Sequence, residues 1–367
     1  MTSLPTILLL DWYQRYKPSK ALMIRYYNVH NVSTYIKKNP RHLQGSLGAN
    51  YSWDLFSKYE KFGMNSHNMI YDRSEKIPHY LAISNYIHPM PPRKENYFTS
   101  FFEITERRAK QLVNTQQPIN VMWSGGIDST YILLALKHFA NDASQIRVYG
   151  TYNSIIESGD FFDRRIKDQL EYVIKPTCYQ AFNYKEFDGL YVSGMCGNQL
   201  FGPTDDFFAN GNTAMFHHTL GTPSTIYEDY KSNIDPELVE FLQPAIMASP
   251  RPIETVADLR WYCIFNLDWY TALYEHRTHV GPERAERVIG FFDTEEFQTW
   301  AVSTTEPFTK VKGDPNTHRW QMRQVMDELF DETHFAKNKT KKISSFSALD
   351  PTWMFLYHDY SNGFLKR

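Results

Sequence analysis

One stretch constrains the fold of this chain more than any other, because a strand pattern in it breaks at two glycines and resumes as an apolar helix. Ile119, Val121 and Trp123 alternate with Met122, which is the period of a β-strand. A Ser-Gly-Gly turn and the apolar run Ile-Leu-Leu-Ala-Leu follow. Free amide groups and the positive end of a helix dipole converge where a strand turns into a helix. The stretch therefore predicts an anion site.

The turn itself reads S-G-G-I-D-S and has the chemistry of a phosphate-binding loop. Its glycines allow positive φ and close approach of a phosphate to the backbone. Its serines offer hydroxyl donors, and its aspartate could hold a Mg²⁺ ion that bridges phosphates. Neither a Gly-Lys dipeptide nor a G-x-G-x-x-G pattern occurs in the chain. The residues predicted to bind the phosphate here are Ser124, Gly125, Gly126, Asp128 and Ser129.

Composition narrows the functional class. The chain has 367 residues, enough for two domains, and 42% of them are hydrophobic. A formal net charge of −2 argues against a dedicated nucleic-acid binder. The cysteines, Cys178, Cys196 and Cys263, form no C-x-x-C pair, which is typical of a reducing compartment. The longest early apolar run, residues 7–10, is too short to span a membrane. We expect a cytoplasmic protein without membrane attachment.

The order of patterns along the chain predicts an α/β fold. We expect a small N-terminal α+β domain of unassigned role over residues 1–92, then a main domain over 93–367. A helix at 97–114 precedes the central strand, and the next strand is expected at 145–151. Residues 163–172 are expected to form the following helix. This rhythm predicts a parallel, doubly wound sheet.

A second glycine-rich turn strengthens the case for a site. A strand at 189–193 leads into M-C-G-N-Q-L-F-G. Ligands of doubly wound sheets lie beyond the carboxyl ends of the strands, so both turns should face one crevice. From residue 222 onward the chain is expected to be rich in helices, including 235–248, 255–275, 295–303 and 320–330.

Four segments, taken in order, resemble the synthetase domain of the glutamine-dependent asparagine synthetases and their relatives. They are the helix followed by VMWSGGIDSTYILLAL, then YVSGMCGNQLFG, FFDTEEFQTWAVS, and HRWQMRQVMDELF with its Lys-rich continuation. The family counterparts of the last three are S-G-E-G-x-D-E-L-F-G, P-F-L-D-x-x-L-V-x-F-A, and a K-x-x-L-R-x-A helix with an R-K-K-x-x-F tail. The resemblance covers roughly residues 95 to 350. It implies a sheet of the PP-loop (adenine nucleotide alpha hydrolase-like) type with a helix-rich C-terminal part.

Departures from the family pattern bear on the reaction. The chain begins Met-Thr-Ser, whereas the glutamine-using members carry a nucleophilic cysteine after the initiator Met, so glutaminase chemistry is not expected. Met195 stands where the family has an acid/base Glu, and Asn198 where it has a magnesium-binding Asp. An amide oxygen binds Mg²⁺ with less electrostatic gain than a carboxylate. The surviving parts support adenylation of a carboxylate more than asparagine synthesis itself.

The resemblance also assigns roles to other residues. It implies ATP and Mg²⁺ as cofactors, with Asp128 and Asn198 as metal ligands. Thr151, Ser193 and Gly194 would line the adenosine. A lysine of the tail would stabilise the transition state, with Lys342 as the first candidate and Lys339 as the second.

Three functions remain open from the sequence alone. The first is an AMP-forming amide ligase that joins a small-molecule or peptide carboxylate to an amine. The second is an ATP pyrophosphatase that modifies a nucleobase or tRNA. The third is an ATP-binding pseudoenzyme, favoured by the loss of carboxylates in the second turn.

Overall fold

The computed structural model describes residues 72–77, 89–175, 188–202, 236–267, 269, 287–306, 308 and 318–339. They form an α/β structure around a single all-parallel sheet. Within these ranges, the helices are all too short or too polar to cross a membrane.

The sheet has five strands in the order β3-β2-β1-β4-β5. The strands are β1 (Ile119–Met122), β2 (Ile146–Thr151), β3 (Glu171–Lys175), β4 (Leu190–Ser193) and β5 (Val288–Gly290). The chain adds strands outward from β1 on one side and then crosses to the other side at β4. The β1/β4 boundary is therefore the topological switch point, where ligands of doubly wound sheets bind. The predicted α/β class and parallel sheet are confirmed.

Nine helices accompany the sheet in the described ranges. They are α1 (Phe101–Val113), α2 (Ile127–Phe139), α3 (Tyr152–Arg165), α4 (Gly197–Phe201), α5 (Pro236–Met247), α6 (Val256–Leu267), α7 (Glu295–Ser303), α8 (Trp320–Glu328) and α9 (Thr333–Asn338), with a 3-10 turn at Ala143–Gln145.

The helix ahead of the central strand illustrates how local sequence defines an element. Ser100 caps α1 and forms a reciprocal capping box with Glu103. Its apolar residues, among them Phe101 and Ile104, are buried against α2 and α7. Their removal from water is the main contribution to stability.

Alternate residues of the central strand β1 face opposite sides of the sheet, as predicted. Ile119, Val121 and Trp123 lie in the main core with the helices. Met122 lies on the opposite face, in a smaller cluster that includes Tyr149 and Tyr191.

The prediction of a helix at residues 163–172 is wrong in its bounds, since only residues 163–165 are helical. Helix α3 begins directly after β2, because Thr151 and Ser154 form a capping box at its N-terminus. It ends at Arg165, and Glu171–Lys175 pairs with β2 as strand β3. The β-forming run Tyr-Val-Ile in β3 was the missed signal. The strand predicted at 189–193 is thus the fourth of the sheet.

A short segment of the N-terminal region packs against the helix-rich part. Arg73 is buried and donates to the carbonyl oxygen of Phe265 at 3.1 Å and to the side chain of Gln298. Asp72 accepts from the side-chain amide of Asn266 at 2.7 Å. These contacts join residues 72–77 to α6 and α7.

Candidate nucleotide site at the switch point

Two glycine-containing turns lie at the carboxyl ends of neighbouring central strands. One joins β1 to α2 and contains S-G-G-I-D-S, and the other joins β4 to α4. Because β1 and β4 are paired in parallel, both turns meet at the same edge of the sheet. The region between them, called the crevice below, lies at the switch point.

The first turn has a backbone conformation that requires glycine. Gly125 has φ +76°, a left-handed value that side chains rarely adopt. A Cβ atom there would lie 2.5 Å from the carbonyl oxygen of Ser154 and 3.0 Å from the Cβ of Glu157. The turn therefore packs directly on α3. The hydroxyl of Ser158 adds to this contact by donating to the carbonyl oxygen of Gly125 at 2.7 Å.

The serines of the turn hold its shape. The Ser129 hydroxyl accepts from the amide of Ser124 at 3.1 Å and lies 3.0 Å from the Ser124 hydroxyl. The Ser124 hydroxyl also accepts from the amide of Gly126 at 3.3 Å. Gly126 is the N-cap of α2, and no side chain in the described residues caps this helix N-terminus. A helix N-terminus whose cap residue has no side chain favours an anion.

The second turn approaches the first so closely that its glycines leave no room for a side chain. A Cβ atom on Gly194 would lie 3.0 Å from the Cβ of Asp128, and one on Gly197 would lie 2.7 Å from its carboxyl carbon. The Asp128 carboxylate thus lies against the start of α4.

One guanidinium joins the two predicted metal ligands. Arg319 donates through one terminal nitrogen to the carboxylate of Asp128 and through the other to the side-chain oxygen of Asn198. Its side chain is 7% exposed, whereas that of Asp128 is 18% exposed. The structure therefore brings Asp128 and Asn198 together, with the guanidinium of Arg319 between them.

This arrangement does not fit a magnesium ion held jointly by Asp128 and Asn198. The oxygens that would coordinate the ion accept from Arg319 instead. Among the described residues there is also no group of three or more His, Cys, Asp or Glu side chains placed to hold a metal. Mg²⁺ prefers a full shell of oxygen ligands with at least one carboxylate free to bind it.

Sequence reasoning missed Arg319. It occupies a left-handed position, φ +57°, immediately before α8. A positive charge at a helix N-terminus interacts unfavourably with the helix dipole. An Arg directly before an amphipathic helix therefore lowers the stability of that helix. This unfavourable placement was the available signal for Arg319. Sequence alone did not reveal that its side chain binds Asp128, which lies 191 positions away.

The neighbouring His318 is held neutral. Its Nε2 atom lies 3.1 Å from the carbonyl oxygen of Gly202. Burial lowers its pKa to about 3, and the positive charge of Arg319 acts in the same direction.

Lys339, the second lysine candidate, lies beside the first turn but is bound to a carboxylate. It donates to the carboxylate of Glu157 and, at 3.2 Å, to the carbonyl oxygen of the same residue. Both side chains are buried. The first candidate, Lys342, lies outside the described residues.

The predicted adenosine-lining residues lie at the ends of their strands. Thr151 ends β2, and its hydroxyl accepts from the amide of Ser154 at 3.2 Å in the cap of α3. Ser193 ends β4, and its buried hydroxyl has no hydrogen-bond partner among the described residues. Gly194 follows it and contacts the first turn.

The other carboxylates near this region lie on α3. Asp160 pairs with Arg164 at 3.1 Å, and Asp163 pairs with Lys167 at 3.7 Å. Both carboxylates are exposed on the outer surface of the helix. Glu157, which points inward, is the member of this group that reaches the first turn.

Comparison with known proteins assigns no family. No protein-family model matches the chain, and no curated protein matches its sequence. The fold and the crevice are therefore the basis for any functional assignment.

Proposed function

We propose that the protein binds ATP in this crevice and is an AMP-forming ligase that joins a carboxylate to an amine. The observation that carries the proposal is the S-G-G-I-D-S turn at the switch point, followed by a helix whose N-terminus no described side chain caps. Backbone amides and the helix dipole at such a position favour a polyphosphate. The resemblance of the turn to the pyrophosphate loop of PP-loop enzymes supports the departing pyrophosphate as that polyphosphate.

The reaction would proceed in two balanced steps. An oxygen of the substrate carboxylate forms a bond to the α-phosphorus of ATP, and the bond from that phosphorus to the oxygen bridging the α- and β-phosphates breaks. Pyrophosphate leaves with the bonding electrons. An amine nitrogen then attacks the acyl carbon, loses a proton to solvent or a base, and expels AMP. Positioning and charge stabilisation are the protein's main contributions to such chemistry.

Each part of the crevice would contribute separately. The turn residues Gly125 to Ser129 would bind the β- and γ-phosphates. The buried hydroxyl of Ser193, which lacks a described partner, supports a polar contact with the nucleotide near β4. Magnesium enters this proposal as an ion carried by the phosphates of ATP. Lys339 or Lys342 would stabilise charge in the transition state, and Lys339 would first have to exchange its contact with Glu157.

Product analysis tests the proposal. Purified protein is incubated with ATP, Mg²⁺ and pools of carboxylic acids and amines, and the nucleotide products are separated. AMP with pyrophosphate is the expected result, and ADP with phosphate would exclude this reaction. Asp128→Ala should abolish AMP formation, because it removes the carboxylate that contacts both turns. Asp163→Ala is the matched control, since that exposed carboxylate pairs with Lys167 on the outside of α3.

A second function is favoured by one specific observation. Asp128 and Asn198 are both engaged by Arg319, and Met195 supplies no group for proton transfer. A protein that binds ATP without turning it over would have this arrangement. Saturable ATP binding with no AMP or ADP, across all acids and amines tested, would support this second function and contradict the ligase.

A further inference from the structure

We propose that Arg319 is the resident cation of this crevice and contacts the pyrophosphate part of the nucleotide, in place of a metal ion bound by Asp128 and Asn198. The inference rests on the proposed nucleotide site and goes beyond it by naming the side chain that donates hydrogen bonds to the phosphates. It starts from the guanidinium that bridges the two turns.

Charge balance favours a guanidinium over a divalent ion. Asp128 carries one negative charge and Asn198 carries none, so one monovalent cation balances the pair. A divalent ion at the same place would leave an excess positive charge, which a second carboxylate would normally offset. The amide of Asn198 also suits an N–H donor, because its oxygen is a neutral hydrogen-bond acceptor.

Arg319 retains donor capacity for a ligand. Its Nε atom is buried and has no hydrogen-bond partner among the described residues. Its planar set of N–H groups matches the oxygens of a phosphate, which is why arginine is common in phosphate sites. Part of the Asp128 side chain is exposed, so the ion pair is accessible at its carboxylate.

The backbone position of Arg319 carries a local energetic cost. Its backbone is left-handed, and its cation stands at the N-terminus of α8, where the helix dipole disfavours positive charge. The contacts with Asp128 and Asn198 compensate for both effects. The same helix dipole, with the guanidinium, would add to the positive potential that a pyrophosphate meets.

Calorimetric titration of the full chain with inorganic pyrophosphate tests the inference. We expect the wild-type protein to bind pyrophosphate about equally in EDTA and in excess Mg²⁺. Arg319→Gln should weaken binding by roughly 10- to 100-fold, the usual loss when a charge-assisted hydrogen bond is removed. Arg319→Lys should retain part of the affinity, because it keeps the charge.

Two further variants make the test decisive. Arg251→Gln is the matched control, because the described contacts of that guanidinium are with the carbonyl oxygen of Ala301 and the ring of Trp261 and not with either turn. Its pyrophosphate affinity should stay unchanged. Asn198→Asp should lose affinity in EDTA and regain it with Mg²⁺, since it supplies a second carboxylate. Circular dichroism checks that each variant is folded. If Arg319→Gln does not fold, the role of Arg319 is still tested by Asn198→Asp and by wild-type pyrophosphate binding in EDTA and in Mg²⁺.

The outcomes separate the two levels of the proposal. Pyrophosphate binding that requires Mg²⁺ in the wild type, with Arg319→Gln matching the wild type, would overturn the role of Arg319 and leave the nucleotide site intact. Absence of binding under both conditions would refute the proposed function, and the role of Arg319 with it.

Discussion

Replacing Gly125 by alanine is the sharpest structural test of the first turn. The wild-type residue has φ +76°, and the turn packs on the backbone of α3. The substitution adds a single methyl group and changes no charge. Its effect therefore reports on the turn geometry alone.

The magnitude follows from two contributions. An L-residue in a left-handed conformation costs about 1–2 kcal/mol. The new Cβ would lie 2.5 Å from the carbonyl oxygen of Ser154, a contact that only a backbone shift can relieve, and such overpacking costs about 1–3 kcal/mol. The reduced entropy of the unfolded chain returns about 0.4–1 kcal/mol. We expect a net destabilisation of about 1–4.5 kcal/mol.

Urea denaturation measures this value, with Gly126→Ala as the matched control. Gly126 has φ −79°, and a Cβ there would meet only the Ser124 hydroxyl at 3.3 Å. That control should change the free energy of unfolding by less than about 1 kcal/mol. Equal midpoints for the two variants would refute the described turn geometry. Gly125→Ala should also weaken ATP binding, since the turn must move away from α3.

Three further predictions concern the groups around the crevice. Burial lowers the pKa of His318 from 6.5 to about 3, so the unfolded state binds more protons than the folded state between these pH values. The free energy of unfolding should therefore fall by about 1.4 kcal/mol per pH unit as pH decreases below 6.5. His318→Gln should flatten that slope when urea titrations are repeated at several pH values. Lys339→Met should lower the free energy of unfolding by about 3 kcal/mol or more, because it removes the cation that contacts the buried Glu157 carboxylate, and the double variant with Glu157→Gln should recover most of the loss. Glu332→Gln should cost about 2 kcal/mol in thermal denaturation, since that buried carboxylate accepts from Arg164 at 2.7 Å.

Each of these predictions has a contradicting result. An unchanged pH slope in His318→Gln would show that this ring titrates normally in the folded protein. A double variant no more stable than Lys339→Met would show that the buried carboxylate is not the source of the loss. For the third, Asp160→Asn is the control, because it removes an exposed partner of the same arginine. Equal effects of Glu332→Gln and Asp160→Asn would contradict the importance of burial.

The elements that sequence predicted well share strong local signals. Strand β1 and helix α2 follow from period-two alternation, a glycine break and a long apolar run. Helix α7 begins and ends where predicted, at Glu295 and Ser303, because Thr294 caps it. The parallel sheet followed from the alternation of strands and helices, which depends on order along the chain and not on contacts.

The elements that were missed depend on competing or distant interactions. Strand β3 is an edge strand of the described sheet, and its residues do not alternate between buried and exposed positions, so periodicity did not single out its β-forming run. The pairing of Lys339 with Glu157 joins residues 182 positions apart. The bridge from Arg319 to Asp128 and Asn198 depends on how α8 packs beside both turns. Periodicity reports which face of an element is buried, but it does not report what that face meets.

The two ion pairs give the crevice a particular electrostatic character. Asp128 with Arg319, and Glu157 with Lys339, each combine one negative and one positive side chain. The two pairs are neutral as sets, and both adjoin the first turn. Binding of a polyphosphate would therefore depend on backbone amides and on the helix dipole. It would also depend on cationic side chains that leave their carboxylate partners to contact the phosphates. This predicts that nucleotide binding is accompanied by rearrangement of Arg319 or Lys339.

The location of the nucleotide is the most direct test of the central claim. A crystal structure of the protein with an ATP analogue that resists cleavage between the α- and β-phosphates would provide it. We predict that the β- and γ-phosphates contact the amides of residues 125–129 at the carboxyl end of β1. Triphosphate density at any other edge of the sheet, with this turn unchanged, would contradict the account.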